Sequence, residues 1–228
     1  MARYQILSLD GGGIRGVLSA VLLARLAQAE PRLLRQIDLY AGTSTGAVLA
    51  LGLAAGLDPE QLVALYREHG RDVFADTAID NFRDLGNLVG AQYSAANFKR
   101  LLIRHFGDKR LRDIAPRVLV ATFDLDNEAF DPQSFRTWKP KFFHNFPGAD
   151  SDGAERVVDV ALRSTAAPTY FPVYQGYIDG GVVANNPAMC AVAQALSTAR
   201  LTARPTGGAA ASRTVRLEDL AVLSIGTG

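Results

Sequence analysis

Hydrophobic positions along this chain alternate between two periods, and the alternation predicts its elements. Tyr4–Leu9 is an apolar run short enough for a buried strand, and Val17–Ala29 follows with helical spacing. The same order repeats at Ile37–Ala41 and in the apolar helix that opens after Gly46. Asp58-Pro59-Glu60-Gln61 combines an N-cap, a proline at the first helical position and a capping partner, predicting a helix to about His69 with Gly70 as its stop. Residues 72–93 show little periodicity and read as a long connection, or lid. Ser94 is placed to cap a helix carrying Phe98, Leu101, Leu102 and Phe106 on one face, stopped by Gly107. Val118–Phe123 reads as a buried strand and Gln133–Trp138 as an edge strand. Gly153–Ala166 is helical up to Ala167-Pro168, and Tyr177-Ile178 is a short strand. Pro187 to about Ala203 predicts a helix, Arg204–Arg213 a flexible linker, and Leu220–Ile225 a last strand. Alternating strands and helices argue for an α/β fold: a mostly parallel sheet with helices on both faces.

Composition narrows the picture only slightly. The chain has 228 residues, 48% hydrophobic and 21% charged, with a formal net charge of +1. That balance gives no reason to expect nucleic acid as a partner. The single cysteine, Cys190, excludes an intrachain disulfide framework and reads as a buried structural thiol. Met1-Ala2-Arg3 runs straight into a strand, and the longest uncharged stretch, Gly42–Leu57, is too short to span a bilayer. The expectation is a soluble cytoplasmic protein, with signal-independent secretion as the alternative.

The chemistry concentrates at strand-to-helix turns, where unpaired N–H groups and the helix dipole favour an anion. The first is Asp10-Gly11-Gly12-Gly13-Ile14-Arg15-Gly16; the second is Gly42-Thr43-Ser44-Thr45-Gly46, in the G-x-S-x-G arrangement of a nucleophile elbow. A serine needs a base. An ordinary hydrolase triad needs a histidine after its acid, and His69, His105 and His144 all precede the best carboxylate, Asp179. Asp179 sits in a strand-to-turn Asp179-Gly180-Gly181; if it reaches Ser44 it can take the proton itself. His144 is the one histidine worth testing as a base. Backbone N–H groups of Gly12, Gly13 and Thr45 are the natural oxyanion donors. Gly11 and Gly16 support the loop, and Arg15 either fixes it or meets an anionic head group.

Together these residues resemble the patatin-like phospholipase family. Asp10–Gly16 matches its oxyanion loop, Gly42–Gly46 its serine elbow and Asp179–Gly181 its aspartate motif. Ser164–Pro172, Asn185-Asn186-Pro187 and Ser224–Gly228 also look like the family. The resemblance implies a three-layer α/β/α sandwich, a single catalytic domain over 1–228, and a Ser44–Asp179 dyad. It further implies hydrolysis of phospholipid or other acyl-ester lipids with no cofactor and no metal, with transient contact at a membrane surface. Members commonly continue beyond the Gly-Thr-Gly strand, so truncation after Gly228 is a further expectation.

Two rival readings remain open. Gly11-x-Gly13-x-x-Gly16 also fits a dinucleotide fingerprint, with Asp38 at suitable spacing for the ribose. The aromatic and basic stretch Phe135–Phe143, then Phe146, suits either a lipid-binding module or an edge hairpin with its aromatics packed inward; the inward packing is favoured. Asp124-x-Asp126 with Glu128 and Asp131 lacks the glycine and glutamate of a calcium loop and reads as a solvated turn.

Overall fold

The computed structural model describes residues 4–74, 87–126, 135–168, 170–202 and 212–228. In chain order the elements are β1 (Tyr4–Leu9), α1 (Gly16–Ala29), β2 (Leu39–Thr43), α2 (Thr45–Ala54), α3 (Pro59–Phe74), α4 (Asn87–Phe106), β3 (Arg117–Asp124), β4 (Lys139–His144) and α5 (Val157–Thr165). They continue with β5 (Tyr177–Asp179), α6 (Gly181–Ala184), α7 (Ala188–Thr198), β6 (Arg200–Thr202), β7 (Ser212–Thr214) and β8 (Leu220–Ile225).

The main sheet runs β4-β3-β2-β1-β8, with β5 also paired to β3. β8, β1, β2 and β3 are mutually parallel, whereas β4 and β5 lie antiparallel to β3. Strand alternation divides the core in two. Leu7, Leu9, Tyr40, Val118 and Val120 face a large cluster shared with α1 to α5. Ile6, Leu39, Ala41 and Leu119 face a smaller one built with Ala191, Ala195 and Ala199 of the α7 region. The result is a three-layer α/β/α arrangement around a mostly parallel sheet. Every residue of α2 is buried, which explains a helix apolar on all sides.

Several boundaries differ from the sequence reading. α3 continues past Gly70 to Phe74, and Gly70 is no stop: a Cβ there would lie 2.6 Å from Ile14 Cδ1, so the glycine makes room for the first loop. α4 begins at Asn87, which leaves Ser94 inside the helix; both helices thus enter the expected 72–93 connection, whose centre, 75–86, lies outside the described residues. The edge strand is Lys139–His144; of the expected Gln133–Trp138, 135–138 precede it without strand pairing and 133–134 lie outside the described residues. α5 is shorter than expected, starting at Val157. The helix after Pro187 ends at Thr198, and the chain then pairs β6 with β7 as a ribbon; the expected linker is the connection between them, and 203–211 lie outside the described residues. The cap at Asp58 forms as expected, with Asp58 Oδ1 accepting from Glu60 N and Gln61 Oε1 accepting from Asp58 N. Among the described residues no helix is long and apolar enough to cross a membrane.

Candidate active site

One strand brings the two predicted reactive residues together. β2 pairs with the first part of β3 and ends where Thr43 stands opposite Ala121. β5 arrives from the other direction and ends where Asp179 stands opposite Thr122. Residues at the ends of β2 and β5 therefore meet across one peptide step of β3. Ser44 Oγ donates to Asp179 Oδ2 at 2.5 Å. The second oxygen, Oδ1, accepts from Gly181 N at 2.7 Å, and Asp179 N is held by the Ala166 carbonyl at 2.9 Å.

The elbow is local backbone chemistry. Ser44 has φ +54°, a conformation that costs a non-glycine residue about 1–3 kcal/mol and persists only where its surroundings fix it. Its neighbours must be small. A Cβ on Gly46 would lie 2.1 Å from the Leu9 carbonyl oxygen, and one on Gly42 would lie 2.3 Å from the Gly46 carbonyl oxygen. Ser44 N donates to Ser164 Oγ at 2.9 Å, and Ser164 Oγ donates to the Ala121 carbonyl at 2.7 Å. Ser164 thus ties the elbow to the strand that aligns Asp179.

The glycine loop lies beside the serine: a Cβ on Gly11 would be 3.4 Å from Ser44 Cβ. Gly11 is held on both sides, its N–H by the Asn185 carbonyl at 3.0 Å and its carbonyl by Thr227 Oγ1 at 2.9 Å and Asn185 Nδ2 at 3.4 Å. Gly12 has no room for a side chain, because a Cβ would meet Thr227 Oγ1 at 2.1 Å. Gly13 has φ +56°. Among the described residues the N–H groups of Gly12, Gly13 and Thr45 donate to nothing, and Thr45 opens the ten-residue α2. Gly16 makes room for the hydroxyl pair Thr45–Tyr66. Arg15 is exposed and forms no ion pair with a described carboxylate.

Burial is the largest influence on Asp179 and pushes its carboxyl above the usual carboxylate range, while the bonds from Ser44 and Gly181 pull the other way. The histidines lie elsewhere. His144 stands on the β4 side of β3, opposite Leu119, with Nε2 3.6 Å from Asp150. His69 lies in α3 beside Glu68. His105 is in the last turn of α4, its basicity lowered by burial, then by Arg104 and His69. Asp38 precedes β2 at the opposite end of the sheet from the glycine loop, where it accepts from Gln5 N at 2.7 Å. Asp126 pairs with Arg136, and among the described residues no three acidic, histidine or cysteine side chains are grouped to hold a metal. Cys190 is half-buried against the smaller core cluster.

The sequence profile of the patatin-like phospholipases matches residues 7–192. This chain belongs to that family. Similar curated proteins include the cGAMP-activated phospholipase of Pseudomonas aeruginosa, 35% identical over 193 residues, which are 82% of this chain and 55% of that protein. Patatin-like protein 2 of Arabidopsis thaliana is 31% identical over 266 residues, covering 98% of this chain and 59% of that protein. Across its first curated relatives the chain spans 55% to 64% of their length. The patatin-like fold is also seen in VipD from Legionella pneumophila, which aligns with 99% of this chain and 50% of its own, at a TM-score of 0.50 and 12% identity.

Ser164, Asn185 and Thr227 are the site residues to which the sequence reading gave no role. All three lie in stretches that resemble the family, but their contacts cross 120, 174 and 216 positions of chain.

Proposed function

We propose that this patatin-like chain is a single catalytic domain that hydrolyses acyl-ester lipids, phospholipids among them, through an acylated Ser44. The observation that carries the reading is the 2.5 Å bond from Ser44 Oγ to Asp179 Oδ2 at a strained elbow. Asp179 accepts the Ser44 proton as Oγ attacks the ester carbonyl carbon. Negative charge then develops on the carbonyl oxygen, where the N–H groups of Gly12, Gly13 and Thr45 and the positive end of α2 stabilise it. Collapse expels the alcohol, which takes the proton from Asp179. A water then attacks the acyl-serine, gives its proton to Asp179, and the second collapse returns that proton to Ser44 as the fatty acid leaves.

Other features support a lipid substrate. Arg15 is exposed beside the loop and suits an anionic head group. Phe135 and Trp138 are 88% and 70% exposed, contrary to the inward packing expected of them, although Phe143 and Phe146 are buried. Lys139, which follows Trp138, pairs with Asp124, two residues along β3 from the Thr122 that stands opposite Asp179, so the exposed Trp138 enters β4 at the same end of the sheet as the site, which supports a transient membrane contact. The dinucleotide alternative loses its ribose partner, since Asp38 lies at the far end of the sheet.

The test is fluorophosphonate labelling with peptide mass mapping, run beside hydrolysis of a p-nitrophenyl ester and of phosphatidylcholine. Label on Ser44, lost with activity in Ser44→Ala at unchanged circular dichroism, is expected. Label on another residue refutes the assignment.

A further inference from the structure

β1, β2 and β3 run parallel, so the residues that open them gather at one end of the sheet, the end away from Ser44. Tyr4 opens β1, Asp38 stands directly before β2, and Arg117 opens β3. A cavity of about 400 Å³ lies there, and its wall includes these three residues with Ile37, Phe146 and Pro147. Ligands of parallel α/β sheets ordinarily sit beyond the carboxyl ends of the strands, where Ser44 and the glycine loop are. A cavity at the amino ends is therefore a second place in the fold.

Its opposite charges are neighbours that do not pair. Arg117 N donates to the Asp38 carbonyl at 2.9 Å, yet among the described residues neither side chain forms an ion pair. Asp38 Oδ2 accepts from Gln5 N at 2.7 Å, which leaves Oδ1 without a described partner. Arg117 Nη1 donates to the Asn145 carbonyl at 2.8 Å, and the guanidinium stands 5.8 Å from the centre of the Phe146 ring. Its remaining N–H groups have no described partner. Tyr4 is only 5% exposed, and its hydroxyl bonds to nothing among the described residues. A buried hydroxyl left without a partner is rare and costly. Burial raises that hydroxyl above the usual tyrosine range; Asp38 adds to the rise and Arg117 opposes it, so both charges act on the phenol.

We propose that this cavity binds a small zwitterion with an apolar body, in its plainest form an apolar α-amino acid. Its carboxylate meets Arg117 and the Tyr4 hydroxyl, its ammonium meets Asp38, and its side chain lies against Phe146, Ile37 and Pro147. A ligand carrying both charges joins what the two side chains leave apart, and a guanidinium fork suits a carboxylate. Size agrees. A cavity of about 150 Å³ takes up a benzene ring, so one of about 400 Å³ admits a ring together with two charged groups. The ligand never meets Ser44, so this site stands apart from the acyl-hydrolase reading.

The experiment is isothermal titration of the full chain with L-phenylalanine, 3-phenylpropionate, 2-phenylethylamine and phosphoethanolamine. L-Phenylalanine should bind. The second lacks the ammonium, the third the carboxylate and the fourth the ring, and each should bind at least about tenfold more weakly. Asp38→Asn and Arg117→Gln, checked by circular dichroism, should each weaken L-phenylalanine about tenfold, and Ser44→Ala should bind it as wild type does. Tyr4→Phe should weaken it about three- to tenfold while raising the melting temperature of the ligand-free protein, because it removes an unpaired hydroxyl. No binding of L-phenylalanine overturns the proposal, and so does equal affinity for either single-charge analogue, a comparison made on wild type and independent of any variant's folding. Unchanged affinity in folded Asp38→Asn and Arg117→Gln overturns the site, and tighter binding of phosphoethanolamine overturns the apolar body.

Discussion

Ser164→Ala is the sharpest test of how this site is held together. The residue is fully buried, and its hydroxyl has two partners: it accepts from Ser44 N and donates to the Ala121 carbonyl. Alanine fits the space but leaves both partners unsatisfied. A buried polar group without its bond costs about 1–3 kcal/mol, so the pair amounts to about 2–6 kcal/mol. Thr165→Ala is the control next door. Thr165 is also buried, but its hydroxyl bonds only to carbonyls of its own helix, so its loss should stay below about 1.5 kcal/mol. Urea unfolding followed by circular dichroism measures both. Activity adds a second reading: without the Ser164 bond nothing among the described residues holds Ser44 N, and relaxation of a strained backbone worth about 1–3 kcal/mol lowers kcat roughly ten- to hundredfold. Equal losses of stability in the two variants, within about 0.5 kcal/mol, would refute the tie between elbow and β3.

Further outcomes follow from the same geometry. The native Asp179 carboxyl, raised chiefly by burial, binds its proton more tightly than in the unfolded chain, so stability falls as pH rises from the ordinary carboxylate value through the raised one; Asp179→Asn should therefore melt above wild type at pH 7–8, and the gap should close toward pH 4. The same variant should lose a hundred- to ten-thousandfold in turnover, while wild-type kcat/KM shows an acid limb above the normal aspartate range. His144→Ala should keep at least about a tenth of wild-type turnover, because His144 faces Asp150 and not the serine; a loss equal to that of Asp179→Asn, in a folded protein, would replace the dyad with a triad. On the proposed mechanism, with backbone N–H groups as the electrophile, hydrolysis of p-nitrophenyl butyrate should be unaffected by excess EDTA; loss restored by one particular metal would overturn it.

What was legible in the sequence was what short range decides. A glycine-bounded serine between strand and helix, and a turn aspartate after a short strand, announce themselves within five residues, and the order of Asp179 after every histidine set aside an ordinary triad. Contacts across the chain were not legible. Ser164, Asn185 and Thr227 meet their partners only after the sheet has assembled, and nothing in their own neighbourhoods states which carbonyl or amide they will hold. Gly70 illustrates the converse error, because a glycine that ends a helix and one that admits Ile14 look alike in a sequence. The ribbon of β6 and β7 was missed because an alanine- and leucine-rich tail continues a helical pattern until a distant partner claims it.

Because β2 and β5 abut along β3, the spacing of Ser44 and Asp179 is kept by a ruler and not by a loop. Connections outside β3 and the 164–166 stretch can lengthen or shorten without moving either residue, provided both strands keep their pairing. A slip of β5 by one residue is another matter: it would set Ile178 or Gly180 at the junction and turn the carboxylate to the other side of the sheet. Such a chain would keep its core and lose its chemistry at once. The site's most fragile coordinate is thus a pairing register, a quantity that thermal stability alone would not report.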